Sequence, residues 1–254
     1  MKLKLNMRNE IKGVLALAAL LVLIAFAERE TNDTAVKQIS IDIDNIENNH
    51  FIDEEDVRRL MQFNQQNLIG ASMGSISLKE IEKRIKADKF IEDAELYSDL
   101  KGNLLVNVDL RRPIARIVRN DGPDGYIAED GTVMPVSEKF TARVILISGS
   151  YAHNLLAMGN LNKTEEGKQL LALIEMIEDD DFWKAQIAQL DIDSKRNINL
   201  FPQVGDELIE FGQADNAEEK LKKLMIFYKE ILPVKGWNKY KRVNLQYEGQ
   251  IVAE

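Results

Sequence analysis

Residues 38–63 read QISIDIDNIENNHFIDEEDVRRLMQF, and the first half of the fold follows from them. Ile39, Ile41 and Ile43 alternate with Ser40, Asp42 and Asp44, the period of two that puts three isoleucines on one face of a strand. Asp53 then stands as an N-cap, with acids filling the first turn behind it. Val57, Leu60 and Met61 fall at i, i+3 and i+4, so an amphipathic helix begins there. A second helix is expected in SLKEIEKRIKADKF, residues 77–90, with Ser77 and Glu80 as a capping box and a stripe of Leu78, Ile81 and Ile85. AELYSDL and NLLVNVDL follow as two alternating runs around Lys101-Gly102, which predicts a hairpin with Leu104, Val106, Val108 and Leu110 on one side. Residues 38–111 thus form a strand-helix-helix-strand-strand unit.

Beyond Pro113 the pattern changes to short strands: IARIVR, GYIAEDGTVMPV and ARVILISG, with Asp130-Gly131 marking a tight hairpin. Thr164 caps a helix striped by Leu170, Leu171, Ile174 and Ile177, and DFWKAQ extends or follows it. Strands are expected at IAQLDI, INLFPQ and ELIEFG. Asp215 with Glu218 opens a last helix carrying Leu221, Leu224, Met225 and Tyr228. KRVNLQYEGQIVA closes the chain as a strand, a bend at Gly249 and a tail. Residues 112–254 are a second, strand-rich α+β domain.

Ahead of both lies IKGVLALAALLVLIAFAERE, residues 11–30. Gly13 to Ala27 carry no charge, and 15 residues reach about 22 Å as a helix, short of the roughly 30 Å of a hydrocarbon core. The length also suits a signal peptide, with Ala25-Phe26-Ala27 as a cleavage pattern, so anchor and leader both stand open. Residues 1–12 hold four basic residues against one acid, which keeps them cytoplasmic. Of the net charge of −9, the remainder therefore carries −12. Residues 28–37 are polar and aperiodic, a linker.

An acidic body argues against nucleic acid as a partner. The chain has no cysteine and two histidines, His50 and His153, which removes thiolate chemistry and leaves little for a histidine base or a zinc site. No Ser sits in a nucleophile elbow, and Gly70 and Gly74 are not followed by the Lys-Ser/Thr of a phosphate loop. Three acidic groupings hold enough carboxylates to suggest a cation or hydrolase site: Asp42 with Asp44, the run Glu178 to Asp181, and Asp191 with Asp193. None has the loop of a calcium site, and each reads as a solvated face. Phe182 and Trp183 fit a core at helical spacing. Trp237, in PVKGWNKY, is either tucked under the last helix or offered to a partner.

Together these segments resemble the bacterial cell-division family FtsQ/DivIB. FIDEEDVRRLM and IEKRIKADKFIEDAEL resemble the helices of its POTRA domain, and DLRRPIARI its inter-domain junction. GYIAEDGTVMPVSEKFTARVILISG is similar to the hairpin that opens its second domain, and RVNLQYEGQIV to its closing strand. One departure stands out: many members carry an acid two places before the junction proline, where this chain has Arg111 and Arg112 before Pro113. The resemblance implies a retained membrane helix at 13–27 and a single-pass protein of the inner (cytoplasmic) membrane. Its bulk would be periplasmic, and it would gather at the division septum. It also implies a non-catalytic scaffold with no cofactor and no small-molecule substrate, binding partners of the FtsB/FtsL coiled-coil type and through them the septal peptidoglycan synthase.

The closing segment is the expected partner site: Arg242, Val243, Asn244, Leu245, Gln246, Tyr247, Gly249 and Ile251, with Trp237 in a basic rim from Lys235 to Lys241. In one extended strand Val243, Leu245 and Tyr247 share a face, and Gly249 releases the tail from the sheet. Two other classes of protein would leave different marks on the sequence. A POTRA-bearing envelope transport or outer-membrane assembly component would need a following series of barrel strands. A membrane-anchored hydrolase would need two carboxylates paired in a cleft.

Overall fold

The computed structural model describes residues 12–22, 34–44, 49–62 and 68–254. The described residues divide into two compact units: those up to Asp44 with those of 53–109, and those of 49–52 with 110–254. Residues 12–22 are helical and expose Leu15, Leu17, Leu20 and Leu21. Among the described residues no helix is long and apolar enough to cross a membrane, and residues 23–27 of the expected anchor lie outside them.

The first unit runs β1 (Gln38–Asp44), α1 (Glu54–Met61), α2 (Leu78–Ile85), β2 (Ile91–Ser98) and β3 (Asn103–Leu110). Its sheet order is β1-β3-β2, with β1 parallel to β3 and Ile41 beside Val106. Val57 and Met61 of α1, Ile81 and Ile85 of α2, and Leu104, Val106 and Val108 of β3 are buried, while Leu60 and Leu78 of the expected helix stripes are half-buried. The two helix starts differ. Asp53 closes a reciprocal capping box with Asp56, at 3.0 Å in each direction, because its ψ of 178° aims the carboxylate at the first turn. Ser77, with ψ of 94°, occupies the N-cap position but makes no side-chain cap bond, so the expected Ser77–Glu80 box does not form.

The second unit contains β4 (Pro113–Ile117), β5 (Gly125–Ala128), β6 (Val133–Pro135), β7 (Ile145–Ser148), α3 (Ala152–Met158), α4 (Glu165–Glu178), α5 (Asp181–Gln186), β8 (Ile187–Ile192), β9 (Ile198–Pro202), β10 (Leu208–Gly212), α6 (Ala217–Ile226), a π-helical turn (Phe227–Ile231), α7 (Leu232–Lys235), β11 (Arg242–Asn244) and β12 (Val252–Ala253). These strands make one nine-stranded sheet, β12-β11-β10-β9-β8-β7-β4-β5-β6. β4, β7 and β8 are parallel, as are β10 and β11; the remaining pairs are antiparallel.

Leu170, Leu171, Ile174 and Ile177 of α4 and Leu221 and Leu224 of α6 join Ile117, Ile147, Leu190 and Val243 of the sheet in one core. Thr164 caps α4 by accepting from the Gly167 N–H at 3.0 Å. DFWKAQ is a helix of its own because Asp180 accepts from the Phe182 and Trp183 N–H groups, at 2.9 and 3.1 Å, and Trp183 is then buried against Phe182 and Tyr228. The expected opening of α6 by Asp215 and Glu218 is not observed. Asn216, at φ 49°, is the N-cap residue, and Asp215 instead holds the buried Lys220 ammonium at 2.6 Å, with the Gln213 carbonyl at 2.8 Å. A buried ammonium left without acceptors costs several kcal/mol, on the order of a broken buried pair, so Lys220 outbids the helix terminus for this carboxylate. Phe51, two residues before the N-cap of α1, belongs to this unit and packs on Tyr126 and Phe140.

Candidate partner-binding edge

The closing segment reaches the sheet through register. Leu208 lies beside Arg242, Ile209 beside Val243 and Glu210 beside Asn244, so β11 extends the sheet in parallel with β10. Val243 and Leu245 are fully buried, which fixes the inward face. On the other face the Glu210 carboxylate bridges two residues, pairing with the Arg242 guanidinium and accepting from the Asn244 amide at 2.7 Å. The hydrogen bond that the Arg242 guanidinium donates to Glu210 also pushes the Arg242 pKa up.

The strand stops after three residues, where one running through Tyr247 was expected. Two polar contacts account for this. The Asn244 side-chain oxygen accepts from the Gln246 N–H at 2.9 Å, a local turn that competes with the ladder. The Lys223 ammonium of α6 then donates to the Leu245 and Tyr247 carbonyls at 2.9 and 2.7 Å, drawing the backbone toward the helix and off the strand line. Tyr247 therefore leaves the face shared by Val243 and Leu245 and is 56% exposed.

Gly249 acts opposite to expectation. At φ 63° it reverses the chain, and the tail returns as β12 instead of leaving the sheet. Val252 pairs with Asn244 and Ala253 with Val243. The Arg242 and Glu254 backbones exchange both hydrogen bonds, at 3.2 and 3.0 Å. In an antiparallel ladder such bonded pairs alternate with unbonded ones, so the N–H and C=O groups of Ala253 point away from β11. The edge of the sheet is thus β12. Ile251 is half-buried on the core, whereas Gln246 and Gly249 are exposed. Trp237, 57% exposed in the loop after α7, is not tucked under the helix.

Of the site residues named from sequence, Arg242, Val243 and Asn244 form β11, Leu245 to Gly249 form the turn, and Ile251 leads into β12. Sequence reasoning missed Lys223 and Glu210, which set the shape of the turn and reach it from other elements. It also missed Val252 and Ala253, whose short apolar run carried no strand signal of its own.

A family model described as FtsQ/DivIB, C-terminal related, matches residues 112–254, more than half of the chain. The chain belongs to this family. A second model, the POTRA-like domain, matches residues 34–109. Comparison with curated proteins finds no match. In the FtsQ/DivIB-related domain the edge just described is the end of the matched segment, and the strand-helix-helix-strand-strand unit is the POTRA-like one.

The acidic groupings have other duties in this domain. Asp193 accepts three hydrogen bonds within its own turn, Asp180 caps α5, and Glu178 pairs with Lys184 at 3.1 Å. Asp191 accepts from the Ser148 hydroxyl at 2.7 Å. In the first unit, Asp42 and Asp44 lie on the exposed face of β1. Among the described residues no three His, Asp or Glu side chains converge as metal ligands would.

Proposed function

We propose that this protein is a single-pass, membrane-anchored scaffold of the bacterial division septum. Its extracytoplasmic domains bind other division proteins and carry out no chemistry. Partners of the FtsB/FtsL coiled-coil type would dock at the β11–β12 edge and connect the chain to the septal peptidoglycan synthase. The observation that carries this reading is the short β12 edge, with the backbone groups of Ala253 turned outward and the exposed Tyr247 in the turn that leads to it, in a domain of the FtsQ/DivIB type. Strand addition at such an edge supplies main-chain hydrogen bonds, while an aromatic side chain beside it supplies an anchor. The exposed leucines of residues 12–22 support the anchor, and partners confined to the same membrane plane gain effective concentration.

The test is binding of the full-length protein to an FtsB-type coiled-coil segment. Ala253→Pro deletes an outward N–H and leaves the bonded pairs to β11 in place, so affinity should fall about tenfold or more while the unfolding temperature changes little. Gln246→Pro is a different experiment, since that N–H serves the internal turn, and it should lower stability. Unchanged affinity in folded Ala253→Pro and Tyr247→Ala would remove the edge as the site. A fluorescent fusion that stays uniform around dividing cells would remove the septal role.

A further inference from the structure

The second unit holds a crevice that the scaffold role does not use. From β4 the chain proceeds to β5 and β6 on one side, then returns to place β7 and β8 on the other side of β4. β4, β7 and β8 are parallel, so their carboxyl ends emerge together, and the connections after β4 and β7 depart in opposite directions. In open sheets with parallel strands, ligands bind in the crevice at such a reversal. A cavity of about 510 Å³ lies at this place, walled by residues 118–121 after β4, by Ser148 at the end of β7 with Gly149, Ser150, Ala152 and His153 after it, and by Asp191 of β8.

Its two sides differ in charge. On one, the Arg119 guanidinium is fixed by donating from Nε to the Pro123 carbonyl at 2.9 Å and lies 3.0 Å from His153 Nδ1. A guanidinium has five N–H donors, so this frame leaves others to point at a ligand. Asp121, 4.0 Å from Arg119 and largely exposed, is too solvated to cancel that charge. On the other side Asp191 accepts from Ser148 through Oδ2, and Ser148 in turn accepts from the Gln189 amide at 2.6 Å. Among the described residues no hydrogen bond is made to Asp191 Oδ1. Gly149, at φ 101°, keeps the floor closed, since a Cβ there would stand 2.3 Å from the Ile192 carbonyl oxygen. The walls carry no Phe, Tyr or Trp on which a sugar or base would stack.

We propose that this crevice binds a small zwitterion of the size of an amino acid or dipeptide, with its carboxylate on Arg119 and His153 and its ammonium on Asp191. Binding involves no bond making or breaking, so it is a ligand site and independent of the partner edge. Its residues come from the connections after β4 and β7 and from the ends of β7 and β8, which is why the sequence alone pointed to no small molecule.

Calorimetric titration of the full-length protein with alanyl-alanine tests it, alongside the N-acetylated and the C-amidated dipeptide. Saturable binding of alanyl-alanine with Kd of about 1 mM or tighter is expected, about tenfold weaker for each capped form. Asp191→Asn should erase the preference for a free amine and keep that for a free carboxylate, and Arg119→Met should do the reverse. Where a variant does not fold, the three-peptide comparison on the unaltered protein decides alone. Absence of saturation by alanyl-alanine, or equal binding of all three peptides, overturns the proposal.

Discussion

Two hairpins, one in each unit, share a frame: Asp99-Leu100-Lys101-Gly102-Asn103 joins β2 to β3, and Asp193-Ser194-Lys195-Arg196-Asn197 joins β8 to β9. In both, the first Asp accepts from the N–H of the Lys two places on, from the Asn N–H and from the Asn amide, at 2.7 to 2.9 Å. In both, the fourth residue returns its N–H to the Asp carbonyl and sits at positive φ, 89° for Gly102 and 69° for Arg196. The same backbone thus accepts Gly in one place and Arg in the other, and the surroundings explain it. A Cβ on Gly102 would stand 2.6 Å from the Ala35 carbonyl oxygen, because the chain entering β1 crosses there and Lys37 donates to the Gly102 carbonyl. Arg196 faces no such crossing, and its side chain reaches Glu166 at 2.7 Å at the surface. The turn is built by the aspartate; what the fourth position tolerates is decided by its neighbours.

Breaking this comparison most forcefully is Gly102→Ala. The left-handed φ costs about 1 kcal/mol and the overlap with Ala35 a further 1 to 3 kcal/mol, so denaturant unfolding should register a loss of about 2 to 4 kcal/mol. A loss under about 1 kcal/mol would show that the first unit relaxes around the new methyl. Next in size is removal of the shared acceptor. Asp99→Ala and Asp193→Ala each orphan three donors and should lower the melting temperature of their own unit by a similar amount, about 2 to 4 °C. Unequal drops would mean that the matching geometry hides different energetics.

Arg196→Gly sharpens the other side. Relief of the left-handed strain, about 1 to 2 kcal/mol, is offset by the freer unfolded chain and by the lost surface pair, at most about 1 kcal/mol each. The outcome should lie within about 1 kcal/mol of the parent, and Glu166→Gln should have no effect in the Arg196→Gly background. Smallest is the pH dependence. The backbone hydrogen bond from Asn103 holds the Asp99 pKa below its ordinary value. At Asp193 burial pushes upward, but the Asn197 hydrogen bonds outweigh it and the net shift is also downward. A depressed carboxylate contributes its stability in full above its unfolded pKa, about 3.9, and loses it as pH falls through the folded value. Unfolding followed from pH 7 to 2 should therefore be flat above about pH 5, with an acid limb that Asp99→Asn and Asp193→Asn each make shallower.

The sequence announced only one of these turns. Lys101-Gly102 reads as a turn because Gly is the residue that takes positive φ without cost, whereas Ser-Lys-Arg carries no such mark and Asp193 stood out as a possible acid group instead. The same asymmetry holds at helix starts. Asp53 was legible as a cap and is one; Ser77 and Asp215 carried equally good signatures, yet one has the wrong ψ and the other is drawn to Lys220. At the closing edge, Val243 and Leu245 were legible as an alternating pair. The end of the strand at Asn244 was not, because Lys223 and Glu210 act on it from α6 and β10.

While α3 and β12 carried no signal of their own, by itself the sequence determined most of the strands and helices, the apolar stripes of α1, α2 and α4 and the likeness to the FtsQ/DivIB family. All of these follow from side-chain periodicity and backbone sterics within a few residues. Tertiary structure alone decided that Gly249 folds the tail back as the outermost strand, that Asp193 is a turn acceptor, and that Arg119, Ser148 and Asp191 face one crevice. Those outcomes depend on which distant backbones pair and on which buried charge must be satisfied first, and neither is written in any local stretch of residues.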